Sequence, residues 1–125
     1  MTRTIYLAHN FIARHLLSQT AVPWLERRGH EVTSRWIWDD THTLESTSEK
    51  NAVMDLEDID RASHFILFTE QYGPRQGRGK FFELGYAIKA GKVCILVGPK
   101  NGCVFYDLPV IRQADTLEDA MRFVE

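Results

Sequence analysis

Three carboxylates are spaced so that they could do chemistry together. Glu83 stands in a segment that opens as a glycine-rich basic loop, Gly77-Arg78-Gly79-Lys80, and continues as Phe81-Phe82-Glu83-Leu84-Gly85-Tyr86-Ala87-Ile88-Lys89-Ala90-Gly91. The spacing predicts a helix that ends at Gly91 and carries Glu83 in its first turn. Free N–H groups and the positive end of the helix dipole favour an ionised carboxylate there. Glu83 is therefore expected to be charged and aimed outward, as a nucleophile or as an anchor for a cation. Asp55 and Asp58, three apart on another predicted helix, share a face. Two carboxylates at one site are the usual equipment for cutting a glycosidic bond, one as nucleophile and one moving the proton. A glutamate in a first helical turn also serves simply as a cap, and the residues alone leave both roles open.

The elements that must position these groups alternate along the chain. Thr4-Ile5-Tyr6-Leu7-Ala8 is a short apolar run suited to a buried strand, ended by His9-Asn10. From Phe11 to Arg28, apolar residues recur at helical spacing toward a stop at Gly29, with a kink or fresh start expected at Val22-Pro23. Glu31 to Trp38 is rich in β-branched and aromatic residues and predicts a second strand, followed by the polar loop Asp39-Asp40-Thr41-His42-Thr43. Ser46-Thr47-Ser48-Glu49 has the form of a capping box opening a helix to about Ala62. Ala52, Val53, Leu56 and Ile59 would face inward from it, with Asp55 and Asp58 off that stripe. His64 to Thr69 reads as a central strand covered on both faces, and Glu70 to Gly79 as a long irregular loop. Val93 to Val97 is a fourth strand stopped by Gly98-Pro99, Val110-Ile111 a possible short fifth, and Thr116 the cap of a last helix burying Leu117, Ala120, Met121 and Val124.

This alternation predicts one α/β domain over residues 1–125, a parallel sheet of four to five strands with helices on both faces, in three layers. In such folds ligands bind at the carboxyl ends of the strands. His9, Asn10, Trp36, Trp38, Thr69, Tyr72 and the start of the Glu83 helix would gather at that edge. With 125 residues, 44% of them hydrophobic and 26% charged, the chain has the composition of an ordinary globular domain. No apolar run approaches a membrane span or a signal peptide, so no membrane partner and a cytosolic location are expected. A net charge of −2 argues against polymeric nucleic acid. Arg75, Arg78 and Lys80 could still hold a phosphate. Cys94 and Cys103 have no metal spacing and read as reduced thiols.

Other constellations are weaker. Gly73 to Lys80 departs from a P-loop in its glycine spacing and in Phe81 where Ser or Thr is required, but it could cradle an anion without nucleotide hydrolysis. His9, His42 and His64 lack ligand spacing, and no metal is expected. Trp36 and Trp38, alternating on a strand, would point to one face together, as walls of an aromatic pocket or as core; Tyr6 poses the same choice.

Taken together, Asp55-Leu56-Glu57-Asp58-Ile59-Asp60-Arg61-Ala62-Ser63, the apolar strand after it and Phe82-Glu83-Leu84-Gly85-Tyr86-Ala87 resemble the nucleoside 2-deoxyribosyltransferase superfamily, over nearly the whole chain. The likeness to small phage and bacterial members extends to Ile5-Tyr6-Leu7-Ala8, Gly29 to Trp36 and Val104-Phe105-Tyr106-Asp107-Leu108-Pro109. The resemblance implies a flavodoxin-like, Rossmann-like sheet and cleavage of the N-glycosidic bond of a 2'-deoxynucleoside or its 5'-monophosphate, without a cofactor. It implies that Glu83 attacks C1' to form a covalent deoxyribosyl intermediate, that Asp55 assists proton transfer or positions the sugar, and that Tyr6 lines the site. Asp58, His9, Asn10, Trp36, Tyr72, Arg75, Arg78, Gly79 and Lys80 complete the expected substrate-binding set. Related nucleotide hydrolases hold phosphate with Gly-Ser where this chain has His9-Asn10, so the basic loop would take over. A homo-oligomer is also implied. Two other readings of the same residues are a non-catalytic nucleotide-binding module and a TIR-like NAD hydrolase.

Overall fold

The computed structural model describes residues 2–38, 48–69, 79–100 and 102–125. Strands β1 (Thr4–Ala8), β2 (Glu31–Val32), β3 (His64–Phe68), β4 (Val93–Val97) and β5 (Arg112–Ala114) form one sheet in the order β2-β1-β3-β4-β5. Every pairing is parallel, with Tyr6 opposite Phe65 and Ile66 opposite Ile95. Helices α1 (Arg14–Gln19), α2 (Ala21–Arg27), α3 (Ser48–Arg61), α4 (Gly79–Lys89) and α5 (Leu117–Val124) connect or follow them. Right-handed crossovers put α1 and α2 on one face of this strand order and α3 and α4 on the other. The chain therefore has the expected three-layer, flavodoxin-like architecture. β1, β3 and β4 lie inside the sheet, and Ile5, Leu7, Phe65, Ile66, Leu67, Ile95 and Leu96 are fully buried. No described helix is long and apolar enough to cross a membrane.

Several boundaries differ from those expected, each for a local reason. The long helix from Phe11 is a 3-10 turn (Phe11–Ala13) and two α-helices, and the break falls at Thr20 rather than at Val22-Pro23. An unbroken helix would need an N–H on Pro23 for Gln19 and would press the proline ring on that carbonyl. Restarting at Ala21 places Pro23 in a first turn, where no donor is required, and the Trp24 amide makes a 3.1 Å bond to Thr20 O.

The second strand stops after two residues instead of running to Trp38. Beyond the Thr33 amide, which bonds Ile5 O at 2.8 Å, the backbone of β1 is satisfied by side chains: Ser34 Oγ accepts from the Leu7 amide at 2.7 Å, and Trp36 Nε1–H donates to Leu7 O at 2.9 Å. Arg35–Trp38 is therefore a 3-10 turn, with Trp36 buried and Trp38 59% exposed, so the two indoles do not share a face. The fifth strand starts at Arg112, after a turn in which the Ile111 amide bonds Leu108 O, and so lies beyond Val110-Ile111.

On α3, Ile59 is buried and Leu56 partly so, but Ala52 and Val53 are exposed, and Asp58 sits in the interior rather than off the apolar stripe. Ser46 and Thr47 of the expected capping box lie outside the described residues. The cap of α5 is as expected, with Thr116 Oγ1 accepting from the Asp119 amide at 3.1 Å. Gly98, at φ 115°, ends β4 where a Cβ would lie 2.3 Å from Thr69 Oγ1, so only glycine lets the ends of β3 and β4 close together.

Candidate active site

Glu83 lies in the second turn of α4, not the first, because the helix begins at Gly79. Helix-end stabilisation falls off within one turn, so the dipole does not set its charge. Burial does: it pushes the Glu83 carboxyl up to about 7 from an ordinary 4.5, and the nearby Asp55 adds to the rise. The expectation of a carboxylate held ionised by the helix end is thereby corrected. One interaction opposes the rise, a hydrogen bond to Glu83 Oε2 from the hydroxyl of Tyr6. Tyr6 is the middle residue of β1, fully buried, with its ring stacked on Phe65 at 5.6 Å. Burial first, then Glu83 and Asp55, raises the phenol above its usual range and keeps it a donor.

Asp55 faces Glu83 across a cleft of about 290 Å³ between α3 and α4, lined also by Ala52, Leu56, Gly79 and Phe82. The two carboxylates and Tyr6 thus come from three separate segments to one place. Phe82 and Leu56 were not among the expected site residues. Their signal was adjacency, since each stands directly beside a carboxylate in the sequence.

The other expected residues divide. Lys80, in the first turn of α4, is 2% exposed, and its ammonium donates to Asn10 Oδ1 at 3.2 Å, so these two meet at the end of β1. His9 turns away from the cleft and stacks on Phe68, ring centres 5.6 Å apart. Trp36 braces the edge of β1 through Leu7 and does not line the cleft.

Asp58 has a structural position: its Oδ2 accepts from the Arg35 amide at 2.9 Å, and its Oδ1 from Arg35 Nε at 2.8 Å and Arg61 Nη2 at 2.7 Å. One turn apart on α3, Asp55 opens to the cleft while Asp58 is fully enclosed. Tyr72, Arg75 and Arg78 lie outside the described residues. Among the described residues no group of His, Cys, Asp and Glu is placed to hold a metal ion.

A five-stranded parallel sheet in this order with helices on both faces defines an α/β class, and solved structures with this fold are similar to the chain. No family model matches the sequence, and no curated protein is significantly similar to it. A CMP N-glycosidase from Clostridium botulinum, BcmB, superposes with a TM-score of 0.63 at 16% identity, over 98% of each chain. A 2-deoxyribosyltransferase from Leishmania mexicana gives 0.61 at 17% identity, over 76% of this chain and 63% of the other. A 2-deoxyribosyltransferase from Bacillus psychrosaccharolyticus gives 0.59 at 25% identity, over 81% and 76%. The transferase at 25% identity supports the nucleoside 2-deoxyribosyltransferase superfamily, the group that the sequence resembles, and the other two structures show the shared fold.

Proposed function

We propose that this protein cleaves the N-glycosidic bond of a 2'-deoxynucleoside or its 5'-monophosphate and passes the sugar to another base or to water. The observation that carries this reading is the half-buried Glu83, bonded by the Tyr6 hydroxyl and facing Asp55 across the cleft. In the first step the Glu83 carboxylate bonds to C1', the bond from C1' to the base nitrogen breaks, and its electron pair leaves with the base. Asp55 supplies the proton that neutralises the departing base. In the second step water or a second base attacks C1', Asp55 takes up the proton released, and Glu83 departs. Burial makes the carboxylate costly to keep charged in the resting site, and so a better partner for the cationic sugar that forms in the transition state. Tyr6 holds the attacking oxygen's partner in place and favours the ionised form.

A 5'-monophosphate is the preferred substrate in this reading. Gly79 borders the cleft, Lys80 adds positive charge at the start of α4, and Arg75 and Arg78 precede it in the sequence. Association of several copies, as the resemblance implies, belongs to the same proposal.

The test is chromatographic detection of free base from a panel of deoxy- and ribonucleosides and their 5'-monophosphates, with and without an added acceptor base. Base release by the wild type and its loss in Glu83→Ala is the expected result, and the acceptor arms separate transfer from hydrolysis. Absence of release from every substrate, with nucleotide binding intact in Glu83→Ala, would establish a binding module instead.

A further inference from the structure

A hollow of about 580 Å³ opens on the other face of the sheet from the cleft, between α1, α2 and the start of α5. Its volume falls in the range of small-molecule sites. Three rings border it: His9 just beyond β1, Phe68 at the end of β3, and Trp24 on α2. Strand alternation explains the placing, since His9 and Phe68 are an odd number of residues from Tyr6 and Phe65 and so face away from Glu83. Leu17 and Leu117 add apolar surface, Gln19, Thr20 and Thr116 add neutral polar groups, and the exposed Arg27 and Glu118 carry opposite charges.

The His9 ring supplies a directional group. Its Nδ1 accepts from the Asn10 amide at 2.7 Å, so in the neutral ring the proton is on Nε2. Burial, with Lys80 adding to it, lowers this histidine to about 4, and the ring is neutral at neutral pH. Among the described residues nothing accepts from Nε2–H. A neutral donor on a stacked ring, between offsetting charges, selects for an uncharged acceptor.

We propose that this hollow is a second small-molecule site, for a neutral planar heteroaromatic ring of nucleobase or nucleoside size that packs against His9, Phe68 and Trp24 and accepts from His9 Nε2–H. The site is separate from the chemistry proposed at Glu83. Stacking on aromatic walls favours flat rings of any base type, and one donor to a ring nitrogen or carbonyl fixes the orientation.

Adenine and adenosine are the probes, titrated into Glu83→Gln protein followed by nuclear magnetic resonance. Saturable shifts of the Trp24 indole N–H and the His9 ring, moving together, are expected. His9→Phe keeps a ring on Phe68 and deletes the donor, and it weakens the probe by about tenfold. Trp24→Leu removes one wall and weakens it by a similar factor, about tenfold. No saturation at millimolar probe, shifts confined to Tyr6, Asp55 and Phe82, or affinity unchanged in both variants would each overturn the proposal. Loss of base release activity would bear on Glu83 alone and leave these shifts in place.

Discussion

Asp58, enclosed in the interior, and Glu83, half-buried at the cleft, are acids on neighbouring helices, and their surroundings treat them in opposite ways. Asp58 is fully enclosed but receives an amide and two guanidinium groups, so both its oxygens are matched by charge-assisted bonds. Glu83 receives one neutral donor, Tyr6, and has another carboxylate, Asp55, for company. A buried acid that is fully compensated is part of the scaffold. One left partly compensated holds its charge at a cost, and that cost can be relieved by a cationic transition state. On the proposed function, burial alone does not mark the working carboxylate; among the described residues, what separates Glu83 from Asp58 is that a neutral hydroxyl rather than a guanidinium bonds it.

Substituting the two acids should separate these roles. Glu83→Gln is expected to lower base release by about 10⁴-fold or more. Its melting temperature should hold or rise, because a partly buried and only partly compensated charge is gone. Asp58→Ala should do the reverse, retaining the chemistry of the folded protein while costing about 2–4 kcal/mol in urea unfolding. The cost stays below the extreme because Arg35 and Arg61 are about half exposed, at 50% and 49%, and water can take them up. A stable but inactive Asp58→Ala would break the comparison.

Smaller changes around Glu83 sharpen it. With its carboxyl at about 7 in the folded protein, kcat/KM should rise with pH through about 7 as Glu83 ionises, and fall at higher pH where Asp55 no longer holds the proton it donates. Tyr6→Phe removes the bond that favours the ionised form, so the rising limb should move to higher pH and the maximum fall by about tenfold. Removing the Asp55 charge in Asp55→Asn should move the limb the other way. A limb unmoved in both variants would mean that Glu83 is not the group being titrated.

Stability should carry the same signature. The folded Glu83 binds its proton more tightly than an unfolded glutamate, so its effect is to reduce stability as pH rises from 4.5 through about 7. Glu125 behaves oppositely. Hydrogen bonds from Arg28 and then His30 hold it at about 2, so its contribution is present above 4.5 and is lost as pH falls toward 2. In urea midpoints against pH, Glu83→Gln should flatten the neutral limb and Glu125→Gln, more weakly, the acid limb.

Much of this molecule was legible from its residues. The strand limits Thr4–Ala8 and Val93–Val97 are those expected, and the Thr116 cap and the layered parallel sheet follow from local patterns. What misled was also local. The β-branched and aromatic run after Glu31 has strand propensity, yet Ser34 and Trp36 spend their polar atoms on Leu7 and bend the chain into a turn. Asp55 and Asp58 look equivalent on a helix, and nothing within α3 says that Arg35, from 23 residues earlier, will claim one of them.

The sequence by itself determined the alternation of strands and helices, the apolar strands that must be buried, and the presence of Glu83 and Asp55 on two separate helices. These are consequences of periodicity and capping, which act over a few residues. Only the tertiary structure decided which acid is compensated, that Glu83 is raised rather than held ionised, and that Tyr6, 77 residues away, bonds it. Desolvation and long-range contacts set those outcomes, and both depend on which segments the folded sheet brings together.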